Sequence, residues 1–288
     1  MSLVLQIAIN TLIVGALYAL LTSGFSLIYS VTKILHLAHG ATVVLVAYIF
    51  FWLGVTQHLN LWLSALLAVL AGTVIGAAAY PLVYLPLKKR QAKWVAYLVG
   101  TLALLTIGLN LIQLFFGPGV HGISTFSGSR VWQIGEAQIS TLQISIIVIA
   151  FVLLAALAWF LKKSRLGVAM RAVSDNETVA EIVGINTAKV SFIAFVLGSF
   201  LAGIAAVLVS LELNLEPQMG MRFAVKIFTA AIIGGIGSVP GALVGSFLIA
   251  LSENLSVWYV NSGFKDAVAF ILLFIFLLWR PQGIWGRK

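Results

Sequence analysis

The sequence predicts an all-α protein, a polytopic bundle of eight or nine membrane segments, some of them broken or re-entrant, and three observations carry that prediction. Hydrophobic residues make up 61% of the 288 residues and charged residues 9%, too few charges to clothe a water-soluble globule. Apolar runs recur along the whole chain, most of them long enough to cross a bilayer. The runs lack the strict alternation of barrel strands, so helices are what satisfies their backbone groups in lipid.

The first run, residues 3–31, carries no charge, and its nearest basic residue, Lys33, follows it. A cleaved signal peptide places its charge first, so this run is expected to stay as a helix. TKILHLAHG, Thr32 to Gly40, then interrupts the pattern before a shorter run at 41–56. Runs at 61–87 and 94–116 flank the basic turn that begins at Lys88. The segment 117–140 is polar and glycine-rich, too short for a binding domain but suited to a surface loop. Runs at 141–161 and 190–211 flank the longest polar loop, 162–189. Short runs at 223–234 and 264–279 surround a longer one at 240–257, and the count is nine if 223–234 crosses and eight if it only dips. Gly72 with Gly76, and Gly241 with Gly245, have the spacing that lets helix backbones approach closely. Trp94, Trp258 and Trp285 stand at run ends, where interfacial anchors belong.

The net charge of +9 reports orientation rather than nucleic-acid binding. If the nine runs cross in turn, thirteen of the seventeen basic residues fall on one side, from Lys33 and Lys88 through Lys162 and Arg171 to Arg280, Arg287 and Lys288. The positive-inside rule makes that side cytoplasmic, with the N-terminus outside and the C-terminus inside. Arg130, Arg222, Lys226 and Lys265 are left outside.

Within the cytoplasmic loop lies a polar island, RAVSDNETVAEIVGIN, Arg171 to Asn186. Ser174 with Glu177 fits a capping box, Val179, Ile182 and Val183 form one apolar side, and Gly184 supplies a stop. Asn186 can cap the helix that follows. A helix resting on anionic lipid favours Lys and Arg, whereas this one carries Asp175, Glu177 and Glu181. Such a surface suits docking into a protein groove.

Other chemistries find little support. The chain has no G-x-x-x-x-G-K-[ST] stretch, and GGIGSVPG, Gly234 to Gly241, lacks the lysine of a phosphate cradle. It reads as a turn or helix break. An ion-coupled carrier needs ionisable groups at membrane depth, and Glu212, Glu216, Glu253 and Asp266 are expected near helix ends. An intramembrane enzyme would rest on His36 and His39, spaced to share a helix face, but no third metal ligand follows nearby. Thr22, Ser23, Ser26 and Tyr29 offer hydroxyls without an Asp to activate one. The absence of cysteine excludes disulfides and thiolate metal sites. Metal and cofactor are therefore expected to be none.

Interrupted membrane helices are the best sequence pointer to a transport site. That makes His36, Ala38, His39 and Gly40 in the first break, and Gly234, Gly235 and Gly237 in the second, candidates for a substrate path.

Four stretches in order carry a family resemblance: GALYALLTSGFSLIYSVTKILHLAHG, the loop RAVSDNETVAEIVGINTAKV, AAIIGGIGSVPGALVGSFLIALSENL and RPQGIWG. They resemble the permease subunits of branched-chain amino acid ABC importers over nearly the whole chain. The resemblance implies one permease domain, 1–288, in the bacterial inner membrane. It also implies a coupling loop whose Arg171, Ser174, Asp175, Glu177, Val179, Glu181, Ile182 and Gly184 meet a cytoplasmic ATP-binding subunit. A second permease subunit, homologous or identical, and a periplasmic solute-binding protein complete the implied machine. ATP hydrolysis would then take place on other chains. Relatives commonly read Asn-Phe-Ala-His-Gly where this chain has His36 to Gly40, so His36 and Leu37 depart from the pattern. Branched-chain amino acids lead as substrate, with other amino acids, urea, short amides and small aromatic acids as alternatives.

Overall fold

The computed structural model describes residues 2–123, 130–259, 262–280 and 282–285. The middle of the expected outer loop, 124–129, and the basic residues Arg287 and Lys288 lie outside the described residues.

Every apolar run is helical. α1 (Ser2–Thr32) runs along the centre and packs on α6, α9, α10 and α11, whose ranges follow. α2 (His39–Phe51) continues into a π-helical turn at Trp52–Thr56. α3 (Leu61–Ala79) passes through a second π-helical turn, Tyr80–Tyr84, into α4 (Leu85–Lys89). Pro81 stands in that turn, and its missing N–H disturbs the regular hydrogen-bond ladder there. α5 (Trp94–Phe116) ends at Gly117 in a positive-φ conformation. A small antiparallel hairpin follows, β1 (Val131–Ile134) and β2 (Ala137–Ser140), turning at Gly135 with φ 64°.

α6 (Thr141–Lys163) opens with a capping box between Ser140 and Gln143. α7 (Arg165–Asp175) and α8 (Glu177–Ile182) make up the polar loop. α9 (Thr187–Glu212) is the most deeply embedded of the long helices. α10 (Met219–Gly234), α11 (Val239–Tyr259) and α12 (Lys265–Trp279) complete the bundle. Seven of the described helices are long and apolar enough to span a bilayer, His39–Thr56 among them; α10 and α12, at 16 and 15 residues, are the other two of the three shorter runs foreseen.

Long-range contacts sort the connections into two ends. Lys33 reaches the Ser174 carbonyl, Lys88 pairs with Glu177, and Gly237 lies against Ser30, so these segments share one end, rich in basic residues. At the other, Gln6 hydrogen-bonds Gln138, Gln143 bonds Glu212, and His121 bridges Leu215. Small residues set the helix spacing as expected. A Cβ on Gly72 would stand 1.9 Å from Val46 Cγ2, and one on Gly245 2.0 Å from the Ala230 carbonyl.

The burial of two ionisable residues is what the sequence does not reveal. Lys226, expected on the outer side of the membrane, and Glu253, in the last two turns of α11, are both turned into the bundle. Lys226 sits within α10 with its amine 3.0 Å from Glu253 and 3.0 Å from Asp266. The Tyr18 hydroxyl donates to Glu253 at 2.9 Å, and the Glu253 side chain is 4% exposed. A carboxylate therefore stands deep in the bundle, but a lysine and a tyrosine satisfy it, tying together α1, α10, α11 and α12.

Candidate functional site

The first break begins where α1 stops. Lys33 adopts a left-handed backbone with φ 58°, which turns the chain, and the Thr32 hydroxyl accepts from the Ile34 N–H at 3.3 Å. His39 is the first residue of α2, while His36 lies in the irregular stretch before it. The pair thus does not share a helix face, yet the turn brings the rings to 6.1 Å. Both are 1% exposed.

His36 Nδ1 lies 2.8 Å from the Tyr84 hydroxyl, and its ring packs at 5.0 Å on Phe195 of α9. His36 Nε2 has no hydrogen-bond partner among the described residues. His39 leans on Phe25 and on Gly24, where a Cβ would stand 3.3 Å from Nε2. The Ala38 N–H donates to the Thr101 hydroxyl at 3.0 Å, anchoring the break to α5. Gly40 lets α10 approach: a Cβ there would be 2.3 Å from the Gly220 carbonyl. Among the described residues, no group of three His, Cys, Asp or Glu side chains could hold a metal ion.

The second break is a cap as well as a turn. Gly234 ends α10, and Gly235 and Gly237 take positive φ of 104° and 84°. A Cβ on Gly234 would stand 1.9 Å from the Gly241 carbonyl. The last carbonyls of a helix lack intrahelical partners. Here Ile284 donates its N–H to the Ile233 carbonyl and Trp285 donates to that of Gly234, each at 2.9 Å. Gly283, φ 72°, makes the approach possible, since a Cβ would meet the Ile232 carbonyl at 2.3 Å. GGIGSVPG and RPQGIWG are therefore two halves of one structure. No local signal in either stretch announces the other.

The polar loop holds more helix than its sequence suggested. α7 starts on a Ser164 cap, whose hydroxyl accepts from Gly167 N–H at 2.8 Å, and it buries Gly167, Met170 and Val173. Arg171 lies on its exposed side, reaching back to the Lys162 carbonyl. Ser174 belongs to the last turn of α7, which Asp175 ends, so it is not the cap of the next helix. Asn176 takes that role, its extended backbone aiming the side chain oxygen at Val179 N–H, 3.1 Å away. Gly184 with φ 87° stops α8, and Asn186 caps α9 through Lys189 N–H.

The acids of this loop turn toward their own chain. Glu177 pairs with Lys88, and Glu181 accepts from the Thr187 hydroxyl at 2.6 Å. Ala180 is the buried residue of α8. Val179, Ile182 and Val183 point away from the bundle, 52%, 78% and 69% exposed. An apolar side turned outward on a helix outside the bundle is a surface in need of cover.

Between the first break and α8 lies a cavity of about 360 Å³. Its walls come from the end of α1, the break itself at Ile34 and Leu35, the π-helical turn, the start of α5, and Glu177 of α8.

Comparison with known proteins agrees with this architecture. Residues 7–277 match the family model described as the permease component of the branched-chain amino acid transport system. The chain belongs to this family. The permease is 33% identical to the high-affinity branched-chain amino acid transport system permease protein LivH of Salmonella typhimurium, over 98% of this chain and 96% of that one. It is 33% identical to BraD of Pseudomonas aeruginosa, with the same coverage, and 28% identical to a probable LivH of Methanocaldococcus jannaschii over 96% and 91%. Among solved structures, PsaBC from Streptococcus pneumoniae in complex with Fab shares the fold, with a TM-score of 0.53 at 13% identity, covering 95% of this chain and 91% of that one.

Proposed function

We infer that this permease forms the membrane path of an ATP-driven importer for branched-chain amino acids, with residues 1–288 as one domain. The observation that carries the reading is α8, which is held to the bundle by its acids and offers Val179, Ile182 and Val183 outward. A cleft on a separate ATP-binding subunit covers that side, and closure of the ATPases moves α8. Family membership supports the substrate class. In the assembly we infer, the chain pairs with a second permease subunit, homologous or identical.

The basic end then faces the cytoplasm and the hairpin end the outside of the inner membrane, as the positive-inside rule requires. The hairpin exposes Val131, Trp132 and Ile134, and together with residues 212–222 it forms the landing surface for a solute-binding protein. The chain itself does no chemistry; ATP is hydrolysed on its partners.

The reading is tested by reconstituting the permease with its genomic neighbour ATPases and binding protein in liposomes. ATP-dependent leucine uptake that requires loaded binding protein is the expected result. Uptake of a different solute class by the same assembly would refute the substrate, and ATPase that fails to co-purify would refute the coupling role.

A further inference from the structure

The cavity beside α8 has features that packing alone does not require. Its back wall is the first break, where Tyr84 holds His36. Its sides carry the rings of Tyr29, Tyr80, Tyr84, Trp94 and Tyr97. The Tyr80 hydroxyl, on a residue only 3% exposed, has no hydrogen-bond partner among the described residues, although a buried hydroxyl without one is costly. Both signs of charge stand in the wall: Lys33 and Lys88 on one hand, Glu177 on the other. The volume lies in the range of small-molecule sites, about 300–1,000 Å³.

We propose that this cavity is a binding site for an amino acid with an apolar side chain, at the cytoplasmic end of the translocation path, with α8 as its movable wall. The inference rests on the orientation and substrate class proposed above. A purely cationic or anionic ligand would leave one sign of wall charge facing its like; a zwitterion matches both. The aromatic rings take the side chain, Lys33 and Lys88 face the carboxylate, and Glu177 faces the ammonium group. The Tyr80 hydroxyl gains the partner it lacks.

The closing contact is weak by design of its setting. Lys88 and Glu177 are each about 40% exposed, and such pairs contribute about 0–1 kcal/mol. An ATPase that pulls on α8 can therefore part them at little cost, and a ligand can replace each partner for the other. The same movement that Glu177 feels thus reaches the solute directly.

The chain contains no cysteine, which gives a direct test. Leu98→Cys places a thiol on the cavity wall. In inside-out vesicles carrying the full complex, its modification by a small methanethiosulfonate is followed on the permease band, with and without L-leucine. Leucine is expected to slow modification several-fold and saturably, and Tyr80→Phe to raise the leucine concentration needed by roughly tenfold, the loss of one buried hydrogen bond. Trp94→Cys, at an exposed position, repeats the measurement should Leu98→Cys fail to assemble. A modification rate indifferent to leucine, a protection curve unmoved by Tyr80→Phe, or protection that follows the vesicle lipid instead of leucine would overturn the proposal. Leucine uptake by the wild-type complex is measured alongside. If uptake is absent the transport reading fails; if uptake is normal and the cavity ignores leucine, only the site is lost.

Discussion

The Tyr84 hydroxyl stands 2.8 Å from Nδ1 of His36, a hydrogen bond that ties the π-helical turn after α3 to the break between α1 and α2. Through α4 the same segment carries Lys88, the partner of Glu177 in the polar loop. Two residues far apart in sequence thus link the polar loop to the broken helix pair by one short run of chain.

Tyr84→Phe should weaken that link. It leaves a buried imidazole nitrogen without its partner, at a cost of about 1–3 kcal/mol. The expected outcome is a lower melting temperature of the detergent-solubilised permease together with slower uptake. His36→Asn should transport better than His36→Ala, since an amide can still reach the Tyr84 hydroxyl. Equal and normal rates for both variants would reduce His36 to packing.

Ile182→Asp should uncouple more severely than Glu181→Ala. Covering the Ile182 side chain is worth roughly 1.5–3 kcal/mol, so a charge there should weaken ATPase binding by ten-fold or more. Glu181 serves its own chain through Thr187, and its loss leaves the outward side intact. Gly184→Val should also impair coupling, because a φ of 87° strains a β-branched residue. The measurement is ATPase stimulation by loaded binding protein, with membrane insertion as control.

The buried network around Glu253 makes an ordered prediction. Lys226→Met strands Glu253, 4% exposed, without its cation, a loss of about 3–5 kcal/mol. Asp266→Asn removes a half-exposed partner and should cost far less. Lys226→Met combined with Glu253→Gln should regain part of the stability, because no buried charge is then unpaired. Thermal unfolding in one detergent ranks the three; a double variant no better than Lys226→Met would contradict the pairing.

Orientation has its own test. Single cysteines at Asn176 in the loop cap and at Glu136 in the hairpin turn should react with an impermeant thiol reagent from opposite faces of the membrane. Labelling from one face would overturn the assignment of α8 to the cytoplasm, and the coupling role with it.

Much of the molecule was legible without coordinates. Run lengths located each long helix, because lipid leaves a backbone no other way to satisfy its polar groups. The Gly184 stop and the Asn186 cap were readable because each acts on its nearest neighbours in the chain. The capping box expected at Ser174 does not form: Ser174 and Asn176 both suit a cap, and α7 absorbs the first. His36 and His39 have a helical spacing, and only the left-handed turn at Lys33 and the irregular stretch after it show that no helix contains them both.

The sequence by itself determined the class, the long helices, the basic end and the family, since composition, periodicity and motif order are properties of the chain read in line. Tertiary structure alone decided that Lys226 meets Glu253 and Asp266, that Ile284 and Trp285 cap α10, and that Glu177 turns inward while Ile182 turns out. Each of these depends on which faces of distant helices meet, and the physical reason is that a run apolar all round carries no stripe to say which side it buries.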